Sequence, residues 1–207
     1  MTSGNRRAWS PSDKRYERMA EKKLQIMQAA QRVFIRNGYE RTSMDSIAEE
    51  AGVAKMTVYR QFADKETLFI ASMNDQCREM LIPEKYAIAA SREEGEKILI
   101  EYGQLFVELI TRIDIVMLYR MLIGEINHFK GLGQIFYPGG PSQAIHVIER
   151  ILSNLFDPPE LRLRAQAFFW ASLGDAYERT VLGVTPPAEA KEQFNAQIKM
   201  AASLVLQ

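Results

Sequence analysis

The sequence predicts an all-α protein, and three observations carry that reading. Apolar side chains recur at i, i+3, i+4 and i+7 through nearly every long segment, the period of an amphipathic helix. The alternation of β-branched residues between turns that marks a strand is absent. Clusters of Pro and Gly separate the periodic segments. With 207 residues, 47% of them hydrophobic, the chain allows one domain, or a small domain joined to a larger one, with a sizeable core.

Ile26, Ala30 and Val33, interleaved with Met27 and Phe34, mark the inner face of a first helix, with Gln25, Gln28, Gln31 and Arg32 on the other side. It ends at Asn37-Gly38, where glycine takes the left-handed conformation that closes a helix. Thr42 or Ser43 caps a short second helix carrying Met44, Ile47, Ala48 and Ala51 on one face, and Gly52 stops it. A third short helix, Lys55 to Gln61, follows at once, and Asp64 caps a long fourth one beginning Lys65-Glu66-Thr67-Leu68-Phe69. From there helices are expected at about 65–82, 92–111, 114–129, 141–156, 159–182 and 187–205. The breaks are Pro83, Gly131 and Gly133, Pro138-Gly139-Gly140-Pro141, Pro158-Pro159 and Pro186-Pro187.

The 26 basic and 26 acidic side chains cancel, which argues against a protein that coats nucleic acid indiscriminately. The sum hides an asymmetry, since residues 1–75 carry 13 Lys and Arg against 10 Asp and Glu, and the remainder 13 against 16. A basic front end fits a polyanion-binding module, and charge alone fits a solvated tail and helix face as well. A single cysteine, Cys77, makes no internal disulfide, and no apolar run reaches the roughly 18 residues of a membrane span. The expectation is a cytoplasmic protein without membrane association. Its expected parts are a basic arm over residues 1–18, a small helical domain over 19–66 and a larger helical domain over 67–207.

Two short helices joined by Ala51-Gly52-Val53-Ala54, with the first helix behind them, make a helix-turn-helix. In the second, Val58 and Phe62 at i and i+4 anchor the inward face, leaving Lys55, Met56, Thr57, Tyr59 and Arg60 to face outward. A B-DNA major groove admits one such helix. A helical hairpin with no ligand would show the same apolar spacing.

The stretch from Ile26 to Phe34, then Asn37-Gly38-Tyr39, Thr42-Ser43, Ile47-Ala48, Ala51-Gly52-Val53, Thr57 to Phe62 and Lys65 to Leu68, resembles the N-terminal domain of the tetracycline-repressor (TetR) family. The region from Leu118-Tyr119-Arg120 through Glu125, Phe129, Phe136-Tyr137 and Phe168-Phe169-Trp170 is similar, more loosely, to one subgroup of that family's C-terminal domains. The resemblance implies a homodimeric transcriptional regulator, usually a repressor. Such a protein binds a palindromic operator and releases it when a small molecule enters the C-terminal domain. Position by position it implies that Thr42 and Ser43 touch the phosphate backbone, and that Tyr59 reaches backbone or a thymine methyl. It implies that Lys65 fixes the domain on a phosphate, and that Gln61, where the family often has His, makes a further backbone contact. Lys55, Thr57 and Arg60 are left as readers of base edges or neighbouring phosphates. The family's usual Ser and Gly are replaced here by Ala54 and Met56, so a hydroxyl cap is missing and a bulky apolar side chain either meets a thymine methyl or packs inward. Arg6, Arg7, Lys14 and Arg15 are read as an arm adding phosphate or minor-groove contacts.

About 130 residues of apolar helical chain exceed what a helix-turn-helix needs as support. Aromatic and Met side chains concentrate there, the usual lining of a small-molecule site, although most of any such list is core. The candidates for the lining are Phe106, Met117, Tyr119, Met121, Phe136, Phe168, Trp170 and Tyr177, with Arg120, Glu125, Asn127 or Asp175 as polar anchors. The expected effector is a hydrophobic or amphipathic organic molecule. Dimerisation through helices 141–156 and 159–182 follows from the resemblance. The rows Ile145, Ile148, Ile151, Leu152, Leu155 and Ala165, Phe168, Phe169, Ser172, Leu173 read as too broad for a monomer core alone.

Two rivals are weighed. One is a helical ligand-binding module that no longer reads DNA, against which Thr42, Tyr59 and Lys65 stand. The other is a metal-dependent bundle enzyme, suggested by Glu125-Ile126-Asn127-His128. That motif has one copy, while His146 and Glu149 run in the opposite order. No phosphate-binding loop, nucleophile elbow or zinc-protease motif occurs. The chain is expected to be no enzyme, with no cofactor and no metal.

Overall fold

The computed structural model describes residues 14–77, 82–127, 131–185 and 189–207, and every regular element among them is helical. The order is α1 (Lys14–Asn37), α2 (Met44–Glu50), α3 (Lys55–Gln61), α4 (Lys65–Cys77), a 3-10 turn (Pro83–Lys85), α5 (Arg92–Ile110), α6 (Ile113–Glu125), α7 (Leu132–Gly139), α8 (Pro141–Leu152), α9 (Pro158–Leu182) and α10 (Lys191–Val205). The chain divides into two compact units between Ser72 and Met73, inside α4 and six residues beyond the expected boundary at 66. Among the described residues no helix is long and apolar enough to cross a membrane.

In the first unit, α1 starts well ahead of Ile26. Lys14 and Arg15, expected in a basic arm, belong to its first turn, while Arg6 and Arg7 lie outside the described residues. Ile26, Ala30, Val33 and Phe34 of α1 close on Ile47 of α2, Val58 of α3 and Leu68 and Phe69 of α4, all buried. The Phe34 ring stacks on Tyr39 at 5.6 Å and meets Phe69 edge-on at 4.9 Å. The expected end of α1 is present, with Gly38 at φ 79° and its N–H donating to the Phe34 carbonyl.

Asp64 begins α4 as expected, its carboxylate accepting the Thr67 N–H at 2.7 Å. That hydrogen bond, with a second from the Thr67 side chain, holds the Asp64 carboxyl below its usual range. A depressed folded-state pKa means stability that is present above the unfolded value, about 3.9, and is lost as pH falls through the lowered one. Asp64→Ala is therefore expected to cost about 1 kcal/mol at neutral pH. The gap from wild type should narrow as pH falls below the unfolded carboxyl value. Urea melts at neutral and at acid pH check this, and a gap of equal size at both would refute it.

In the second unit α10 packs along α9 and α5, and α8 packs on α9. Leu99 and Tyr102 of α5, Ile145, Ile148 and Ile151 of α8, Phe168 of α9 and Ile198 of α10 are buried in one cluster. The expected helices beyond residue 110 are present with two differences. Between Gly131 and Gly140, read as a break, lies α7, with Pro138 inside it near its C-terminal end, so that only a late intrahelical bond is lost. α9, read as one regular helix, is broken at Gly174, where φ is 45° and ψ is −152°. The apolar rows of α8 and α9 that read as too broad for a monomer core are covered within the chain. Ile145, Ile148, Ile151 and Leu152, and Ala165, Phe168, Phe169, Ser172 and Leu173, are all buried within this chain, with Leu155 partly so.

Candidate nucleic-acid interface and effector cavity

The helix-turn-helix is held from behind by polar as well as apolar contacts. The Gln25 side chain of α1 donates to the Ala51 carbonyl at 2.7 Å, fixing the turn. Arg32 and Arg36, also on α1, pair with Glu50 at the end of α2 at 2.8 and 3.1 Å, and their guanidinium groups hold the Glu50 carboxyl below its usual range. Ser43 caps α2, accepting the Ser46 N–H at 3.0 Å while the Ser46 hydroxyl accepts the Ser43 N–H, a reciprocal capping box. Ala54 occupies the cap position of α3 without a side-chain bond, as its lack of a hydroxyl requires.

Val58 and Phe62 of α3 are buried, which turns the rest of the helix outward. Met56 is 69% exposed and Tyr59 42%, and Lys55 and Arg60 stand beside them in solvent. Thr57 and Gln61 are half-buried at the flanks. The α3 surface thus offers two cations, one phenol and one thioether, arranged on a rigid helix that touches the core with its other face. Asp45, in the first turn of α2, joins them, its carboxylate 2.7 Å from the Lys55 ammonium. Lys55 also lies 5.8 Å from the centre of the Tyr59 ring.

The second unit holds an apolar cavity of about 90 Å³. Phe106 and Ile110 of α5, Ile115, Leu118 and Tyr119 of α6, Phe136 of α7, and Phe169, Trp170, Leu173 and Tyr177 of α9 form most of its wall, completed by Met73, Gly140 and Pro141. Tyr119 lies 6.2 Å from Phe136 and 6.0 Å from Tyr177, and Phe169 meets Phe106 and Trp170, so aromatic faces and edges dominate. Among the described residues no ionisable side chain other than the two tyrosines reaches this wall. Burial, and then the Glu178 carboxylate, push the Tyr119 phenol up, so it is a neutral donor and acceptor at physiological pH.

Residues 26–72 match the bacterial regulatory proteins of the tetR family, and residues 97–206 match the AefR-like transcriptional repressor C-terminal domain. The chain belongs to the TetR family. A TetR-family transcriptional regulator from Mesorhizobium loti superposes with a TM-score of 0.73 at 25% identity, covering 91% of this chain and 96% of the other. FadR from Bacillus subtilis, solved in complex with stearoyl-CoA, superposes with a TM-score of 0.60 at 17% identity over 84% and 96%, a likeness of fold. The transcriptional activator FasR of Mycolicibacterium smegmatis is 28% identical over 78 residues, 38% of this chain and 36% of that protein. This chain thus spans little more than a third of that relative's length.

Measured against what the TetR resemblance implied, the DNA-facing residues divide. Ser43, Lys55, Met56, Tyr59 and Arg60 are each exposed. Thr42 is not with them. It is 3% exposed, its hydroxyl donates to the Gly38 carbonyl at 2.7 Å, and its N–H goes to Tyr39. Both donors are engaged at the end of α1, at the residue whose hydroxyl the resemblance directs at a phosphate. Lys65 also has internal partners, the Tyr39 carbonyl at 2.9 Å and the Tyr39 ring at 4.2 Å. Met56 resolves toward solvent rather than packing inward. Asp45 was missed, because an acidic residue beside a helix cap reads as an ordinary dipole partner.

Of the TetR effector candidates, Phe106, Tyr119, Phe136, Trp170 and Tyr177 line the cavity. Met117, Met121 and Phe168 do not. The α6 row that faces the cavity is 115, 118 and 119, which turns Met117 toward solvent and leaves Met121 half-buried. On α9 the row is 169, 170, 173 and 177, and Phe168 points instead at Gly103 of α5. The polar anchors are elsewhere. Arg120 donates to the carbonyls of Val181 and Thr180 at 2.6 and 2.9 Å, and Asp175 accepts from Gln193. Asn127 is exposed, and a buried oxygen of Glu125 meets no hydrogen-bond partner. Spacing alone could have supplied Ile110, Ile115 and Leu173, each three or four residues from a correct choice. His128 of the Glu-x-x-His motif lies outside the described residues. Among those described, no three His, Cys, Asp or Glu side chains gather as metal ligands.

Proposed function

We propose that this chain is a DNA-binding transcriptional repressor that acts in the cytoplasm as a homodimer on a palindromic operator and is released by a small neutral apolar molecule. It is a regulator rather than an enzyme. The observation that carries the reading is the outward face of α3, on which Lys55, Met56, Tyr59 and Arg60 stand free of the core that Val58 and Phe62 enter. A helix exposed in this way beside a capped α2 suits entry into a major groove. Ser43, Tyr59, Arg60, Gln61 and Lys65 are assigned to backbone, and Lys55, Met56 and Thr57 to base edges.

Dimerisation draws support from the exposed face of α9, where Leu163 is 67% and Trp170 52% exposed, with Ala167 between them and Ala171 next to Trp170. A symmetric contact along this face buries those side chains and pairs two copies of the chain. The effector class follows from the cavity wall. A charged group there would lose its hydration with no ion to replace it, whereas a compact aromatic body meets rings on several sides. Release is then a population shift, the effector binding the conformation that does not hold the operator more tightly than the one that does.

Footprinting on the DNA flanking the protein's own gene, at stated salt, tests the reading. The expected result is a protected palindrome whose protection disappears with a neutral aromatic compound and persists with carboxylated analogues of the same ring. Absence of any protected site overturns it. Met56→Gly in the same assay is expected to alter preference at one T·A position by about 1 kcal/mol or more. An unaltered preference removes Met56 from the base-reading set.

A further inference from the structure

Lys55 is the first residue of α3, and the N-terminal end of a recognition helix is the part that meets base edges. Its ammonium does not stand alone. The two oxygens of Asp45 lie 2.7 and 2.8 Å from it, and the Tyr59 ring flanks it. Both members of the ion pair are exposed, Lys55 at 56% and Asp45 at 61% of their side chains, so the pair shields no buried charge. An exposed pair of this kind adds little to stability. A carboxylate on a surface that must approach phosphates also weakens attraction to any duplex. Its placement beside the base-reading end of α3 therefore calls for a gain of another kind.

Resting on the DNA-reading role proposed above, we propose that Asp45 is a specificity-determining residue that, together with Lys55, reads one G·C pair in each operator half-site. The major-groove edge of a G·C pair presents the guanine N7 and O6 acceptors and, next to O6, the cytosine N4 donor. O6 and N4 are hydrogen-bonded to one another within the pair and so lie about 2.9 Å apart. The ammonium and carboxylate of Lys55 and Asp45 are separated by nearly the same distance and have the opposite polarity, a donor beside an acceptor. Lys55 donates to O6 and N7 while Asp45 accepts from N4. With the docking direction set by the rest of the domain, an A·T pair puts the adenine N6 donor where the ammonium expects O6, and two donors face each other.

Two further features fit this role. The Asp45 carboxylate keeps the Lys55 pKa above the usual lysine value, so the donor stays charged at all physiological pH. Asp45 and Tyr59 also hold the ammonium in place before DNA arrives, which reduces the ordering cost of binding. The same carboxylate opposes binding to random duplex. Asp45 thereby raises specificity from both sides, by a contact with the right pair and by repulsion from the wrong surroundings.

Selection from a randomised duplex library with the full chain tests the proposal, comparing wild type with Asp45→Ala and Lys55→Ala. Wild type is expected to enrich a palindrome containing one G·C position per half-site preferred tenfold or more. Asp45→Ala should retain the other positions and lose that preference, and Lys55→Ala should relax the same position. Asp45→Ala should also bind a mixed-sequence duplex several-fold more tightly than wild type. Thermal melts of the variants are expected to match wild type, which separates readout from folding. The proposal is overturned if Asp45→Ala enriches an unchanged motif, if the two variants relax different positions, or if mixed-duplex binding weakens. A wild type that folds and enriches nothing removes the DNA-reading role itself, and this inference with it.

Discussion

Phe34→Ala is expected to abolish DNA binding by unfolding the N-terminal unit while leaving the C-terminal unit folded. Phe34 is fully buried and packs against Tyr39 and Phe69, joining the end of α1 to the turn that follows it and to α4. Truncating a buried Phe to Ala costs about 3 to 5 kcal/mol. The loss of two ring pairs is part of that cost, at about 0.5 to 1.5 kcal/mol each. A unit of this size holds only a few kcal/mol of stability from its core. The deficit therefore equals or exceeds what is available. Mobility-shift titration should show no operator complex at protein concentrations a hundredfold above the wild-type midpoint. Circular dichroism should lose the share of helical signal that belongs to α1, α2 and α3, while a second melting transition stays in place. Phe34→Leu, which keeps most of the volume, should retain binding. Operator affinity of Phe34→Ala within tenfold of wild type would show that the aromatic cluster is not what holds this unit together.

The features of this protein that depend on neighbours in sequence were legible, and those that depend on neighbours in space were not. Val58 and Phe62 announce the inward face of α3 because i and i+4 share a side of any helix, and burial of both follows. Gly38 and Asp64 announce helix ends because capping is chemistry between residues three or four apart. α7 was hidden by Gly131, Gly133 and Pro138, whose local meaning is a break, whereas packing of Leu132 into the core makes a helix of the residues between them. Thr42 carries the residue type of a phosphate donor, yet where its one hydroxyl proton goes is decided by the carbonyl that Gly38 turns toward it. In the cavity, aromatic type was informative for Tyr119, Phe136 and Tyr177. The choice between Phe168 and Phe169 depends on which neighbouring helix α9 turns each side toward, and nothing in the sequence of α9 states that.

Gly174 is the position where that limit matters most, and its replacement is expected to have the second large effect. The periodicity of α9 runs unbroken through it, yet the backbone leaves the helix there at φ 45° and ψ −152°. That region is open to glycine and closed to almost every other residue, at about 1 to 3 kcal/mol. A Cβ at this position would also overlap the Gln197 amide of α10. The amide is the flexible end of a long side chain and can move aside, so backbone strain is the larger part of the cost. Gly174→Ala is thus expected to lower the stability of the C-terminal unit by about 2 kcal/mol. Adding Gln197→Ala should restore little of it. Full recovery in the double variant would mean that the clash, and not the backbone, set the cost. The functional consequence is separable. Trp170 and Leu173 reach the cavity from before the break and Tyr177 from beyond it, so straightening α9 at Gly174 would shift Tyr177 relative to the other two. If the variant relieves strain by straightening α9, effector-induced release from the operator should fail in protein that still binds the operator at wild-type affinity. Calorimetric titration of a neutral aromatic effector into Gly174→Ala, compared with wild type, reads this directly. Equal affinities would place the effector away from the wall that α9 forms on the two sides of Gly174.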